Sequence, residues 1–423
     1  MPQCERKVQQ LKTTSTDSIK FTSAPDKMLQ VEDSSSHRNR LSDQEIISLA
    51  GVETDSGSLK FSWKNFSQET LGHWGTYKLL TIETCASNES KAQTLTFFVK
   101  MTKRGDSPLV FDKEAKFHHD LAPLMLQNYR SEPWAPKCFL ARDDLLVMED
   151  LKSQGFKIVS NPLSIEQMRS AVATIARLHS CSILLVSDID KLLSRLDQTF
   201  LEGGTWESMD SSRALWLKVG MRTTEYIASE LSLDSDCISK AYDMDLEKLE
   251  PKDGEPNALS HRDLWPNNIM FREKNGKTDC RLVDFQLSTF TSYVVDLLEF
   301  IYINADKSTR EIYETELIIH YHEKLMEQLK RHDYQGKEIP LEKVQRDYDD
   351  KKVCGLVGAV QCLPISLLNK ELSSEFSKPG NFEYHSRVDR TEFVKKVMRV
   401  DESYRRRIEG AVRDLVEYMQ DRV

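Results

Sequence analysis

Apolar and polar positions divide the chain into three kinds of stretch. Residues 1 to about 40 follow no period and are rich in Ser, Thr, Asp and Lys. Such a segment buries too little apolar surface to offset the entropy of ordering, so residues 1–40 are expected to form a disordered polar tail. The run SDQE, Ser42 to Glu45, then predicts a helix start with a capping box, and Gly51 predicts its stop. Residues 58–84 mix aromatic and β-branched positions around Gly72 and Gly75, which predicts two antiparallel strands. TLTFFVK predicts a third strand ending on Lys100. FDKEAKFHHDLAPLM reads as helix, with Glu114 in its first turns, and DDLLVMEDL, residues 143–151, reads as a buried strand running into a connector.

Beyond residue 150 the period becomes helical. SIEQMRSAVATIARLHS opens with Ser164 and Gln167 as a second capping box, and Ile165, Met168, Val172 and Ile175 fall at helical spacing. Most of residues 306–345 and 390–423 also read as amphipathic helix. One hairpin interrupts this region: NIMF and CRLVDF flank Asn275-Gly276, a pair suited to a tight turn. It would bring Asn268, before one strand, beside Asp284, at the end of the other. The expected fold class is therefore α+β and two-lobed. A small antiparallel-sheet lobe spans 41–150, and a large helical lobe spans 151–423, with no internal repeat.

Composition narrows the function. The 423 residues, 39% of them hydrophobic, can support a large two-lobed unit. The net charge of -9 lacks the basic excess of a nucleic-acid binder. Eight scattered cysteines include no CxxC pair, which fits reduced thiols in the cytoplasm better than a disulfide framework or a zinc site. The polar start MPQCERKVQQLKTT is no secretory signal. No stretch reaches the roughly 20 apolar residues of a membrane span, and no obligate protein partner is evident.

The chemistry lies in LSHRDLWPNNIMF, residues 259–271, and RLVDFQLS, residues 281–288. Phosphoryl transfer from ATP requires held phosphates, magnesium, and a carboxylate that receives the proton of the attacking hydroxyl. Magnesium takes hard oxygen ligands, often only one or two of them from protein. Asp284 and Asn268 offer such oxygens, and Asp263 is the carboxylate left for the hydroxyl. Lys100 on a strand and Glu114 on a helix have the order of a pair that holds the α- and β-phosphates. Gly72 and Gly75 are a weak phosphate-loop signal. Singly, each residue has an ordinary structural reading as a cap, a turn or a surface ion pair. No purely structural role accounts for the ordered combination. Other constellations fail: there is no GxxxxGK[ST], no HExxH and no GxSxG, and HHD at 118–120, HYHE at 320–323 and YRRR at 404–407 read as solvated helix faces.

HRDLWPNN, RLVDFQLS and VVDLLEFIY resemble the ecdysteroid kinase-like family, or CHK kinase-like domain. That family is related to choline kinases and aminoglycoside phosphotransferases within the protein-kinase-like fold. FFVKM, FDKEAKFHHDLAP, LVMEDL and IARLHS follow family blocks in order, so the resemblance covers roughly residues 45–423. It implies Asp263 as catalytic base, Asn268 and Asp284 as magnesium ligands, and Lys100 with Glu114 as the phosphate anchor. Backbone groups from Glu149 to Leu151 would meet adenine. Asp296 would brace the catalytic loop, with His261 packed beneath it near Asp284.

The implied activity is an ATP- and Mg2+-dependent kinase acting on a small-molecule alcohol, an ecdysteroid or another steroid-like or xenobiotic alcohol. Residues from about 185 to 250 and the C-terminal helices would build the acceptor pocket. Trp265 and Gln286 stand where protein kinases carry Lys and Gly, which argues against that class. Arg262 replaces the family's usual Gly. A choline- or ethanolamine-type kinase and an inactive pseudokinase binding module are the alternative readings.

Overall fold

The computed structural model of the chain describes residues 15–20, 40–51, 58–66, 75–85, 93–102, 108–186, 200, 211–252 and 255–422. Its N-terminal part is a six-stranded antiparallel sheet. The strands are Ser15–Lys20 (β1), Ser58–Asn65 (β2), Thr76–Cys85 (β3), Gln93–Met101 (β4), Cys138–Ala141 (β5) and Leu145–Glu149 (β6), in the order β1-β2-β3-β4-β6-β5. The expectation of an unstructured tail is corrected for six residues, because β1 pairs with Ser58–Trp63 of β2. An edge strand gains backbone hydrogen bonds from its neighbour, a gain that apolar patterning does not reveal. The rest of the tail up to residue 39 lies outside the described residues.

Helix Asp43–Ala50 covers one face of this sheet. Ser42 N–H donates to Glu45 Oε2 (2.7 Å) and Glu45 N–H to Ser42 Oγ (3.3 Å), so the capping box is present, and Gly51 closes the helix at φ 66°. Ile46 and Ala50 pack there with Leu80, Ile82, Val99 and Val147. Strand period two sends Phe97, Val99 and Met101 to that core and turns Phe98 and Lys100 to the opposite face. Helix Pro108–Lys116 lies on that opposite face, with Phe111 and Ala115 against Leu146 and Met148.

The helix predicted through residue 125 continues, but with one π-turn at Phe117–Leu121. This turn corrects the reading of HHD as a solvated face. His118 is buried with its ring edge-on to both Phe117 and Phe285, whereas His119 is exposed and bonded to Asp120 (2.7 Å).

After β6 the chain enters the helical part. Ser164 and Gln167 form the second capping box, with Ser164 N–H on Gln167 Oε1 (2.9 Å) and Gln167 N–H on Ser164 Oγ (3.3 Å). Helix Ile165–Val186 and the wholly buried helix Val295–Asn304 anchor the main core. The two amphipathic regions are each broken once. Lys307–Arg331 and Leu341–Asp350 make the first, and Thr391–Val400 and Glu402–Gln420 the second. At the second break Asp401 caps the following helix by accepting from Tyr404 N–H (2.9 Å). Among the described residues, no single helix is long and apolar enough to cross a membrane.

Two small sheets sit at the junction of the two parts. Lys157–Ile158 (β7), Ile269–Lys274 (β9) and Lys277–Leu282 (β10) form one, and Asn257–Ser260 (β8) pairs with Thr289–Ser292 (β11) in the other. The β9–β10 hairpin turns at Asn275 (φ 53°) and Gly276 (φ 71°), the left-handed pair its sequence predicts. Val283 N–H donates to the Asn268 carbonyl (3.0 Å), so Asn268 and Asp284 flank the ends of adjacent strands.

Candidate active site

Lys100 is the centre of the first cluster. It is buried, and its Nζ contacts Glu114 Oε2 at 2.6 Å and Asp284 Oδ1 at 2.7 Å. Burial alone would depress an ammonium, but the Asp284 and Glu114 carboxylates outweigh it and hold Lys100 well above its ordinary pKa. Burial, with Asp284 adding to it, raises Glu114 although Lys100 opposes the shift. The helix carrying Glu114 is tied to the DFQ segment by a stack of Phe117 on Phe285, with centroids 4.2 Å apart and planes 6° apart. Gly75, at φ 99°, lies against this lysine: a Cβ there would meet the Met101 carbonyl at 3.1 Å and Lys100 Cγ at 3.6 Å. Glycine thus keeps the approach to β3 close to the ammonium. Gly72 lies outside the described residues.

The loop from His261 to Asn268 is held from below by Asp296. Its Oδ2 accepts from His261 N–H (2.6 Å) and its Oδ1 from Arg262 N–H (2.9 Å). His179 Nε2 lies 3.0 Å from the same carboxylate and its Nδ1 2.7 Å from Tyr321 Oη. Although burial raises it, these bonds hold Asp296 below its ordinary value. His261 Nε2 sits 3.0 Å from the Val283 carbonyl, with its ring beside Phe285.

At the loop's working end, Asn268 Nδ2 donates to Asp263 Oδ2 (2.8 Å) and to the Asp263 carbonyl (2.9 Å). The amide oxygen of Asn268 takes no part in these two bonds. Burial first, and the Asp284 charge second, push the Asp263 carboxyl up to about 8.

Two backbone positions here are unusual for residues with a side chain. Asp284 has φ 70° and Arg262 φ 65°. A left-handed conformation costs a non-glycine residue roughly 1–2 kcal/mol. At position 262 it gives a physical reason for glycine in the family and makes the arginine a departure. Arg262 Nη1 lies 2.8 Å from Glu299 Oε1, both side chains being buried.

Two hollows meet at Asp284. The smaller, about 80 Å³, has Lys100, Glu114, Glu149, Leu151, Asn268 and Asp284 on its walls, with Phe66, Phe98 and Met148 as apolar surfaces. The connector is there as expected, but Leu151 N–H donates to the Glu149 carbonyl (3.1 Å), and the Leu151 carbonyl accepts from Gln154 and Phe156.

The larger hollow, about 230 Å³, reaches Asp263 and Asp284 from the other side. Trp216, Leu217, Trp265, Leu287, Val357 and Phe382 give it a broad apolar and aromatic wall. The residues predicted as phosphate anchor, metal ligands and base therefore converge on one junction, with a hollow reaching it from each side. Sequence reasoning missed Asp245 and Glu299 in this wall. Neither carries a motif, though Glu299 lies only three residues beyond Asp296.

The donor set fits magnesium. Asp284 and Asn268 present hard oxygens, and the place already draws a cation, since Lys100 bridges two carboxylates in it. Among the described residues no three His, Cys, Asp or Glu form a self-sufficient metal cluster. Two protein ligands with phosphate oxygens completing the shell are what this site can offer.

The sequence model of the ecdysteroid kinase-like family matches residues 77–334, more than half the chain. No curated protein matches it in sequence. Among solved structures, a Plasmodium vivax ethanolamine kinase is similar at 12% identity and a TM-score of 0.41, over 82% of this chain and 84% of its own. An ADP-bound aminoglycoside phosphotransferase is similar at 16% identity and a TM-score of 0.35, over 77% of this chain and 92% of its own.

Proposed function

Since the chain belongs to the ecdysteroid kinase-like family, we propose that it transfers the γ-phosphoryl group of ATP to a hydroxyl of a steroid-like or xenobiotic alcohol. The observation that carries this reading is the junction itself: Lys100 between Glu114 and Asp284, with Asp263 facing the larger hollow. In this reading Lys100 meets the α- and β-phosphates, and Glu114 keeps it aimed. Asp284 and Asn268 Oδ1 hold magnesium, which when bound neutralises charge on the β- and γ-phosphates. The acceptor lies on the aromatic wall with its hydroxyl at Asp263. The hydroxyl oxygen attacks the γ-phosphorus, its proton passes to Asp263, and the bond to the bridging oxygen breaks to release ADP. A cytoplasmic setting, with ATP, magnesium and reduced thiols, belongs to this reading; nucleic acid and an obligate protein partner do not.

The test is acceptor-dependent ATP consumption with magnesium against a panel of ecdysteroids, other hydroxylated sterols, choline and ethanolamine, with Asp263→Asn as the blank. Turnover with an alcohol and none in the blank supports the proposal. ATP binding without turnover across the panel turns the reading toward a binding module. One feature favours a second reading, an amino-alcohol kinase: the acidic side chains of Asp245 and Glu299 in an aromatic-walled hollow.

A further inference from the structure

Five charged side chains in the larger hollow have no part in the transfer chemistry: Arg213, Asp245, Arg262, Glu299 and Arg387. Arg262 and Glu299 form a close ion pair at 2.8 Å, and burial with this partner keeps both charges near one another. The pair is incompletely satisfied. Glu299 Oε2 and Asp245 Oδ1 are buried without a hydrogen-bond partner, and both residues are less than a tenth exposed. Two acids against an aromatic wall are the elements that hold an ammonium group. Here three arginines already outnumber two acids, so the cluster has no net negative charge left for a cationic ligand.

The backbone adds an independent observation. Position 262 is left-handed, a conformation glycine takes freely. An arginine is nevertheless held there, with its head group turned into the hollow against Glu299. Backbone strain retained beside a reaction centre points to a working side chain.

We propose that Arg262 is a specificity determinant of the acceptor hollow. Its guanidinium takes the place an ammonium group would fill beside Glu299 and Asp245, so the hollow selects uncharged alcohols over amino alcohols. The two orphaned carboxylate oxygens then accept from further hydroxyls of the acceptor. Burial, partly countered by Arg262, raises Glu299 to about 7 and Asp245 to about 6, so both carboxylates depend on a neighbouring cation to stay ionised. This inference rests on the assignment of the larger hollow as the acceptor site.

The test is equilibrium binding of choline and of its uncharged carbon isostere, dimethylbutanol, to the full chain by calorimetry. Wild type, Arg262→Gly, Arg262→Gln and the double variant Arg262→Gly/Glu299→Gln are compared. Glycine suits the backbone at 262, and Arg262→Gln serves if that variant fails to fold. Wild type should prefer the isostere. Either single variant should shift the ratio of dissociation constants toward choline by about tenfold or more, and the double variant should reverse the shift. Preference of the wild type for choline, an unchanged ratio in the single variants, or no binding of either ligand to any variant would each overturn the proposal. The readout is binding, so an absence of turnover would count against the kinase reading and leave this one to be judged separately.

Discussion

The Lys100 ammonium lies 2.7 Å from an Asp284 carboxylate oxygen, although 184 residues separate the two in sequence. The contact joins the sheet to the end of the β9–β10 hairpin, and Glu114 completes it from a helix. A buried ammonium between two carboxylates is a poor source of stability but a precise charge template. Lys100→Met should therefore weaken ATP·Mg binding about tenfold or more and lower kcat further, as read by nucleotide titration and steady-state rates. Unchanged nucleotide affinity would remove Lys100 from the phosphate site.

Asp284→Ala takes away the carboxylate assigned to magnesium. Nucleotide affinity in the wild type should rise as magnesium is added, and in the variant it should stay nearly flat. Titration of ATP binding across magnesium concentrations reads this difference. A wild-type magnesium response in the variant would contradict the assignment.

Asp263 supplies a pH dependence whose sign can be worked out. Burial and the Asp284 charge raise it to about 8, so at neutral pH the folded chain holds a proton that the unfolded chain lacks. Stability from this group falls as pH rises from the ordinary Asp range through about 8. Asp263→Asn cannot titrate. Its melting temperature relative to wild type, without nucleotide, should therefore grow between about pH 5 and pH 9. Asp263 keeps some exposure to water, which limits the gain to roughly 1–2 kcal/mol. A constant difference across that range would mean that Asp263 titrates normally.

In the proposed mechanism the same carboxyl governs turnover. Asp263 accepts a proton only when ionised, so kcat/KM should rise along a limb whose pKa lies above the ordinary Asp range. Rate profiles from about pH 5 to pH 9 at saturating magnesium measure the limb. A rate independent of pH over that span would exclude Asp263 as the base.

Asp296 holds the loop without facing either hollow. Asp296→Ala strands the buried N–H groups of His261 and Arg262 and leaves His179 without its carboxylate. Unpairing such a buried network costs about 3–5 kcal/mol, seen as a lower denaturation midpoint together with lost turnover. Its folded pKa is lowered, so its contribution is present above the ordinary Asp range and disappears as pH falls below it. A variant with wild-type stability at neutral pH would refute the bracing role.

The local devices were legible in the sequence because each depends on neighbours in the chain. Both capping boxes, the Asn275-Gly276 turn, the strand that carries Lys100 and the order of Lys, Glu, Asp, Asn and Asp follow from periodicity, turn chemistry and spacing. What the sequence could not carry depends on distant segments meeting. The pairing of β1, the burial of His118 and the ion pair of Arg262 with Glu299 arise where tertiary packing supplies the partner. Spacing alone named Lys100, Asp263, Asn268 and Asp284. Only the packing of hairpin, sheet and helices brought these side chains within a few ångströms of one another, and burial there, with the Asp284 charge, moved Asp263 and Glu114 from their ordinary pKa values. Position 262 shows both sides of this division: the sequence marks an arginine in place of glycine, but the left-handed backbone and the carboxylate it meets exist only in the folded chain.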